Sequence, residues 1–286
     1  MTLLKKIFNN YEKITYDRLE HICDNVHASV YPKVRLADVF SITNSGISSP
    51  EFSFALKSHF DFIIYNNITH LPLFAVEFDG KYHRTKIQKD RDNIKDKLAL
   101  KFNLPLLRIN SRYLEVKYRN LDLLSWCVEI WFLADAFYSA QENGSVSYDE
   151  PFDPTSIYSI AENDNKFPFF LSLDIRKKLN RLFEQKEIKS PHINVWIGTD
   201  INDNYYGISW LFVNDELGLM TTSGMKAQNF PIAQSEFLEE IMIFELNNKL
   251  TRYFEGKTNG VLYQEIDKNI KKFIDKYKLA YASLSS

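Results

Sequence analysis

Apolar positions along the chain change period several times, and the changes mark out elements. Leu4, Ile7, Phe8, Tyr11, Ile14, Leu19 and Ile22 recur at mostly helical spacing, which predicts one or two amphipathic helices over residues 3–25. Residues 34–42 are β-rich and predict a strand, followed by a Ser/Gly/Pro/Asn loop over 44–50. Two short apolar runs, 60–65 and 73–79, flank a polar connection, the pattern of a β-hairpin with a longer loop. From 86 to 102 the period lengthens. Ile87, Ile94, Leu98 and Phe102 fall on one stripe between charges, predicting a helix that Asn103 and Pro105 end. Residues 104–109 are apolar almost throughout, as a strand buried on both faces would be. The predicted order to this point is α-β-β-β-α-β.

Residues 121–141 continue as a helix. Asp122, Glu129 and Asp135 interrupt its apolar run, which suits a buried or half-buried helix better than a membrane span. The polar, acidic, Pro- and Gly-containing stretch 142–155 reads as a domain boundary, giving one domain over 1–145 and a second over 155–286. In the second, helices are predicted at 171–185, 235–254 and 261–281, a strand at 192–198, and a hairpin from 205–213 and 218–222. The expected fold class is α/β in the first domain, a mixed central sheet flanked by helices, with a second, α+β domain.

Composition changes this picture little. With 286 residues, 45% hydrophobic and 15% aromatic, the chain has material for a sizeable core. Cys23 and Cys127 match no metal or redox spacing, and the N-terminal residues lack the apolar run of a secretory signal, so a cytoplasmic protein is expected. Charge adds more. The net value is only −2, yet between Lys81 and Arg119 twelve Lys or Arg stand against four acids, an asymmetry suited to a phosphate backbone. Lys81, Lys86, Lys89, Arg91 and Arg112 are the candidate nucleic-acid contacts. Trp196, Tyr205, Tyr206 and Trp210 could stack on bases, but aromatic residues in a β-rich segment are more often core.

The chemistry is expected on the hairpin. Glu77 and Asp79 share a face because side chains alternate along a strand, and an antiparallel register pairing residues near 61 with residues near 77 would bring Asp61 beside them. Three converging acids repel one another unless a cation intervenes. Hard oxygen ligands suit Mg²⁺ or Mn²⁺, which can activate water and stabilise charge on a phosphodiester. His83 follows as a candidate proton shuttle or a structural hydrogen-bonder. Gln88, Arg91, Asp92 and Lys95 then line one face of the next helix.

Taken in order, Lys57-Ser58-His59-Phe60-Asp61-Phe62, Ala75-Val76-Glu77-Phe78-Asp79-Gly80-x-x-His83, Gln88-x-x-Arg91-Asp92-x-x-Lys95-Asp96 and Leu104-Pro105-Leu106-Leu107-Arg108-Ile109, with Arg35–Val39 ahead of them, resemble a bacterial family of uncharacterised domains within the PD-(D/E)XK, restriction-endonuclease-like superfamily. That family is akin to very-short-patch-repair-type endonucleases, and the resemblance covers roughly residues 20–112. It implies metal-dependent cleavage of a phosphodiester bond, with Asp61 as the motif's first aspartate and Glu77 as its second acid, both metal ligands. The motif lysine falls on Asp79, so a different cation must replace it. Lys95 is favoured over Lys81. The expected function is a nuclease, acting on DNA in preference to RNA, in a setting such as bacterial defence or DNA repair. The competing reading is a non-cleaving module of the same fold that binds nucleic acid or assembles with protein. A homodimer or partner-protein contact through residues 155–286 stays open.

Overall fold

A computed structural model describes residues 6–80, 85–115, 122–152 and 172–284. Helix α1 (Asn10–Cys23) starts at a capping box, in which Asn9 and Glu12 each take the other's backbone N–H. Strand β1 (Ala28–Arg35) follows, then a single turn α2 (Leu36–Val39) and helix α3 (Ser49–Lys57). The strand expected at 34–42 therefore lies earlier. Arg35 pairs with His59 at the very start of β2 (His59–Asn66), so the ladder runs out there. The Leu36 N–H turns to the Ser58 carbonyl, and the fully buried Leu36 begins a helical turn instead. Helix α3 falls partly in the expected loop, and Ser48 and Glu51 form a second capping box at its start.

The hairpin pairs β2 antiparallel with β3 (Pro72–Phe78), and helix α4 (Lys86–Lys101) leads into β4 (Leu106–Ile109), parallel to β3. Among the described residues the first sheet has order β1-β2-β3-β4. A 3₁₀ turn (Ser111–Leu114) precedes helix α5 (Leu123–Glu142). One core cluster joins Phe60, Ile63 and Ala75 of the sheet to Phe40, Ala55 and Leu98. Elsewhere in the core, Phe62 meets Phe8 and Tyr16 of the N-terminal segment, and Phe74 meets Trp131 of α5 at 4.8 Å. Phe60, Phe62 and Phe74 are fully buried, each contributing about 1.5–3 kcal/mol by removal from water. By length and composition alone α5 could cross a membrane. In this fold its Leu124, Trp126, Cys127, Val128 and Ile130 are buried.

The chain divides into two units, residues 1–154 together with 228–231, and residues 155–227 together with 232–286. The division falls in the expected boundary, but a short piece of the C-terminal half completes the first unit. There Leu106 donates its N–H to the Asn229 carbonyl, Gln228 clasps the Arg108 backbone at both its N–H and its C=O, 2.9 Å each, and Phe230 packs on Phe74.

In the second unit, helix α6 (Leu173–Glu184) precedes an antiparallel sheet of order β8-β7-β6-β5-β9, built from β5 (Asn194–Thr199), β6 (Tyr205–Phe212), β7 (Leu217–Met225), β8 (Val261–Leu262) and β9 (Lys278–Ser283). Helix α7 (Gln234–Phe254) packs Leu238 and Met242 against Val195 and Ile197, and Gly207 leaves room for the Met242 sulfur. Helix α8 (Tyr263–Lys276) puts Ile266 and Phe273 against Ile208 and Trp210. The helix expected over 261–281 is thus shorter, flanked by two sheet-edge strands. Trp196, Tyr206 and Trp210 belong to the α8 cluster and Tyr205 to the α7 cluster, so these aromatic rings serve as core.

Candidate functional site

Pairing of β2 with β3 is regular up to Phe62–Val76, and beyond it carboxylates take over the ladder. The Asp61 N–H donates to Glu77 Oε1 at 3.1 Å, and the Phe78 N–H donates to Asp61 Oδ2 at 2.9 Å. Each acid thereby satisfies a backbone group that the opening hairpin has released, which fixes both side chains without a large cost. Asp61 and Glu77 are adjacent as the hairpin pattern requires.

Two ammonium groups meet this pair. Lys95 of α4 places Nζ 2.7 Å from Glu77 Oε1 and 2.9 Å from the His59 carbonyl, above the ring of Phe60. Lys33 of β1 places Nζ 2.6 Å from Asp61 Oδ1 and 2.6 Å from Glu12 Oε1. Burial pushes the Glu77 carboxyl up to about 7; Lys95 opposes that rise and the charge of Asp61 adds to it. For Lys33, burial pulls downward, but its hydrogen bonds to Asp61 and Glu12 outweigh that and hold the ammonium charged.

Asp79 does not join them. Its Oδ1 lies 2.8 Å from Arg108 Nη1, and Arg108 also reaches Asp96 at 2.7 Å and Asp92 at 3.6 Å. Arg108 pairs with Glu77 across the β3–β4 ladder, and its side chain is only 6% exposed. A buried guanidinium needs anionic partners, and Asp79 is drawn to it rather than to the other two acids. Among the described residues no group of three or more His, Cys, Asp or Glu is placed to hold a metal ion. The expected three-acid convergence therefore reduces to Asp61 and Glu77.

The two remaining acids fit a divalent cation by their chemistry. Both are hard oxygen donors, and burial raises the Glu77 carboxyl even though Lys95 and Arg108 oppose that rise. Its Oε2 accepts no hydrogen bond from a described residue, because the contacts at Glu77 fall on Oε1.

Lys81 and His83 lie outside the described residues, so their expected roles have no geometry here. Of the candidate phosphate contacts, Lys86, Lys89 and Arg91 are exposed on α4 and Arg112 is half-buried in the 3₁₀ turn. Gln88 and Asp92 are hydrogen-bonded to each other at 3.2 Å.

Three neighbours of the site carried no assigned role in the sequence. Glu12 gives a signal only as the third residue of a capping box, Arg108 only as a charge inside an apolar strand, and Lys33 gives none. Residues 4–121 match the model of a family described as a protein of unknown function, DUF2726, a span that contains Glu12, Lys33, Asp61, Glu77, Lys95 and Arg108 alike. No curated protein and no solved structure matches the chain.

Proposed function

We propose that the first unit is a metal-dependent nuclease module of the PD-(D/E)XK type, hydrolysing phosphodiester bonds of nucleic acid, DNA in preference to RNA. The observation that carries this reading is the Asp61–Glu77 pair at the open end of the hairpin, with the Lys95 ammonium 2.7 Å from Glu77. The element order, β1 to β3 antiparallel and β4 parallel after a crossover helix, accords with the sequence resemblance. Asp61 and Glu77 would hold Mg²⁺ or Mn²⁺, which when bound supplies Lewis-acid stabilisation of the phosphate and an acidified water. Lys95, tethered by Glu77 and the His59 carbonyl, is a fixed cation suited to orient the attacking water and offset charge developing on phosphate. Lys86, Lys89 and Arg91 would steer the backbone of the nucleic acid toward α4.

The test is cleavage of supercoiled plasmid, linear duplex, single-stranded DNA and RNA by the full chain with Mg²⁺, Mn²⁺ or EDTA. Metal-dependent products that vanish in Asp61→Asn and Glu77→Gln support the reading. Undiminished cleavage by both variants refutes the site. A second reading, a nucleic-acid-binding or assembly module of this fold without cleavage, is favoured by the commitment of Asp79 to Arg108. Binding without cleavage under every metal condition would establish it.

A further inference from the structure

Lys33 lies in the interior of β1 with φ +54°, the left-handed region. For a lysine that conformation costs about 1–2 kcal/mol, with none of the local side-chain hydrogen bonding that lets Asn or Asp tolerate it. The flanking pairs Pro32–Phe62 and Val34–Phe60 keep their register, so the distortion is confined to the residue opposite Asp61. Its result is to deliver one ammonium to two carboxylates at once. Both acceptors are held from behind: Asp61 by the Phe78 N–H on Oδ2, and Glu12 by the Asn9 N–H on Oε2. The oxygens that face Lys33 are the ones no backbone group has claimed.

We propose that Lys33 is a positioning residue that acts as an internal counter-ion, occupying the Asp61 oxygen a divalent cation would take and setting how much metal is needed to displace it. This rests on the metal-dependent reading given above. Asp61 Oδ1 is the carboxylate oxygen of the pair that is bonded only to a side chain, so it is the one free to exchange partners. An ammonium and a divalent cation on a single oxygen repel each other, so metal entry requires Lys33 to withdraw. Withdrawal is accessible, because the Lys33 side chain is 36% exposed and retains Glu12 as an acceptor. Without metal, Lys33 neutralises Asp61 and ties α1 to the sheet, keeping the carboxylate oriented. The strained backbone is the means by which a strand residue reaches both acids.

The experiment is a titration of the full chain with Mn²⁺, followed by calorimetry and by the electron paramagnetic resonance of free Mn²⁺, with melting in EDTA run in parallel. The variants are Lys33→Asn, which tolerates left-handed backbone without charge, and Lys33→Gly, which relieves the backbone altogether. Both are expected to bind Mn²⁺ about two- to fivefold more tightly than the wild type, the range of a partly exposed ion pair, while Asp61→Asn loses binding. A lysine with a merely structural part would change melting and leave affinity unmoved. Wild-type affinity or weaker in both variants, with Asp61-dependent binding still measurable in the wild type, overturns the counter-ion role alone. Absence of Asp61-dependent Mn²⁺ binding in wild type and variants together overturns the metal reading as well.

Discussion

Substituting Glu77 by Gln should stabilise the metal-free protein at alkaline pH and do much less at acid pH. Glu77 is 4% exposed, and burial lifts its carboxyl from an ordinary 4.5 to about 7. Between those values the folded chain keeps a proton that the unfolded chain releases. The contribution is therefore fully present below pH 4.5 and is lost as pH rises through 7, at a slope set by the difference in bound protons. Integrating that difference from pH 5 to pH 8 gives a loss of about 2.5 kcal/mol in the wild type. Gln cannot ionise, still accepts the Asp61 N–H and leaves Lys95 its bond to the His59 carbonyl. The variant should therefore gain about 2.5 kcal/mol on the wild type between the two pH values, or roughly 5–10 °C in melting temperature for a unit of this size. Calorimetric melts of both chains at pH 5 and pH 8 in EDTA measure it, assigned to whichever of the two transitions moves. Added Mn²⁺ should reverse the order at pH 8, raising the wild type and not the variant. A wild-type-minus-variant difference that is constant across the pH range would show that burial does not hold Glu77 in its protonated form.

Two further outcomes follow from the same geometry. Lys95→Met should lower the cleavage rate by roughly 10²–10³-fold with far smaller changes in KM, as for loss of one fixed charge-stabilising group; a rate within threefold of wild type would exclude that role. Reversing the exposed Lys86, Lys89 and Arg91 to Glu should weaken DNA binding and flatten its dependence on salt while leaving the melting temperature within about 2 °C. Unchanged affinity in a filter-binding series across salt concentrations would move the contact surface away from α4.

Much of the first unit was legible because its elements obey local rules. The hairpin register that puts Asp61 beside Glu77 follows from two apolar runs and their connection, and α4 follows from its apolar spacing, although of the expected buried stripe only Leu98 is buried, Ile94 and Phe102 are half-buried and Ile87 is exposed at the helix start. What was missed had either a weak signal or none. The Ser48-x-x-Glu51 box and Pro50 announce α3, but the Ser/Gly/Asn residues just ahead of them read as loop. Strand β9 continues a helical-looking run past Tyr277, and only pairing with β5 makes it a strand. Asp79 has the right parity to join Glu77, and parity was outweighed by a buried arginine on a strand paired with its own. Lys33 could not have been found at all, since its position depends on a left-handed turn of backbone that nothing in Tyr31-Pro32-Lys33-Val34 encodes locally.

The short return of the chain at Gln228–Pro231 has a temporal consequence. Among the described residues strand β4 is an outer strand of the first sheet, and the Leu106 and Arg108 N–H groups find their acceptors in Asn229 and Gln228, more than a hundred residues downstream. During synthesis the first unit therefore cannot finish when its own 154 residues have emerged. At roughly 5–20 residues per second, β4 waits several seconds with an open edge while most of the second unit is made. The arginine that holds Asp79, Asp92 and Asp96 lies on that waiting strand, so the acidic neighbourhood of Glu77 is among the last parts of the first unit to be closed.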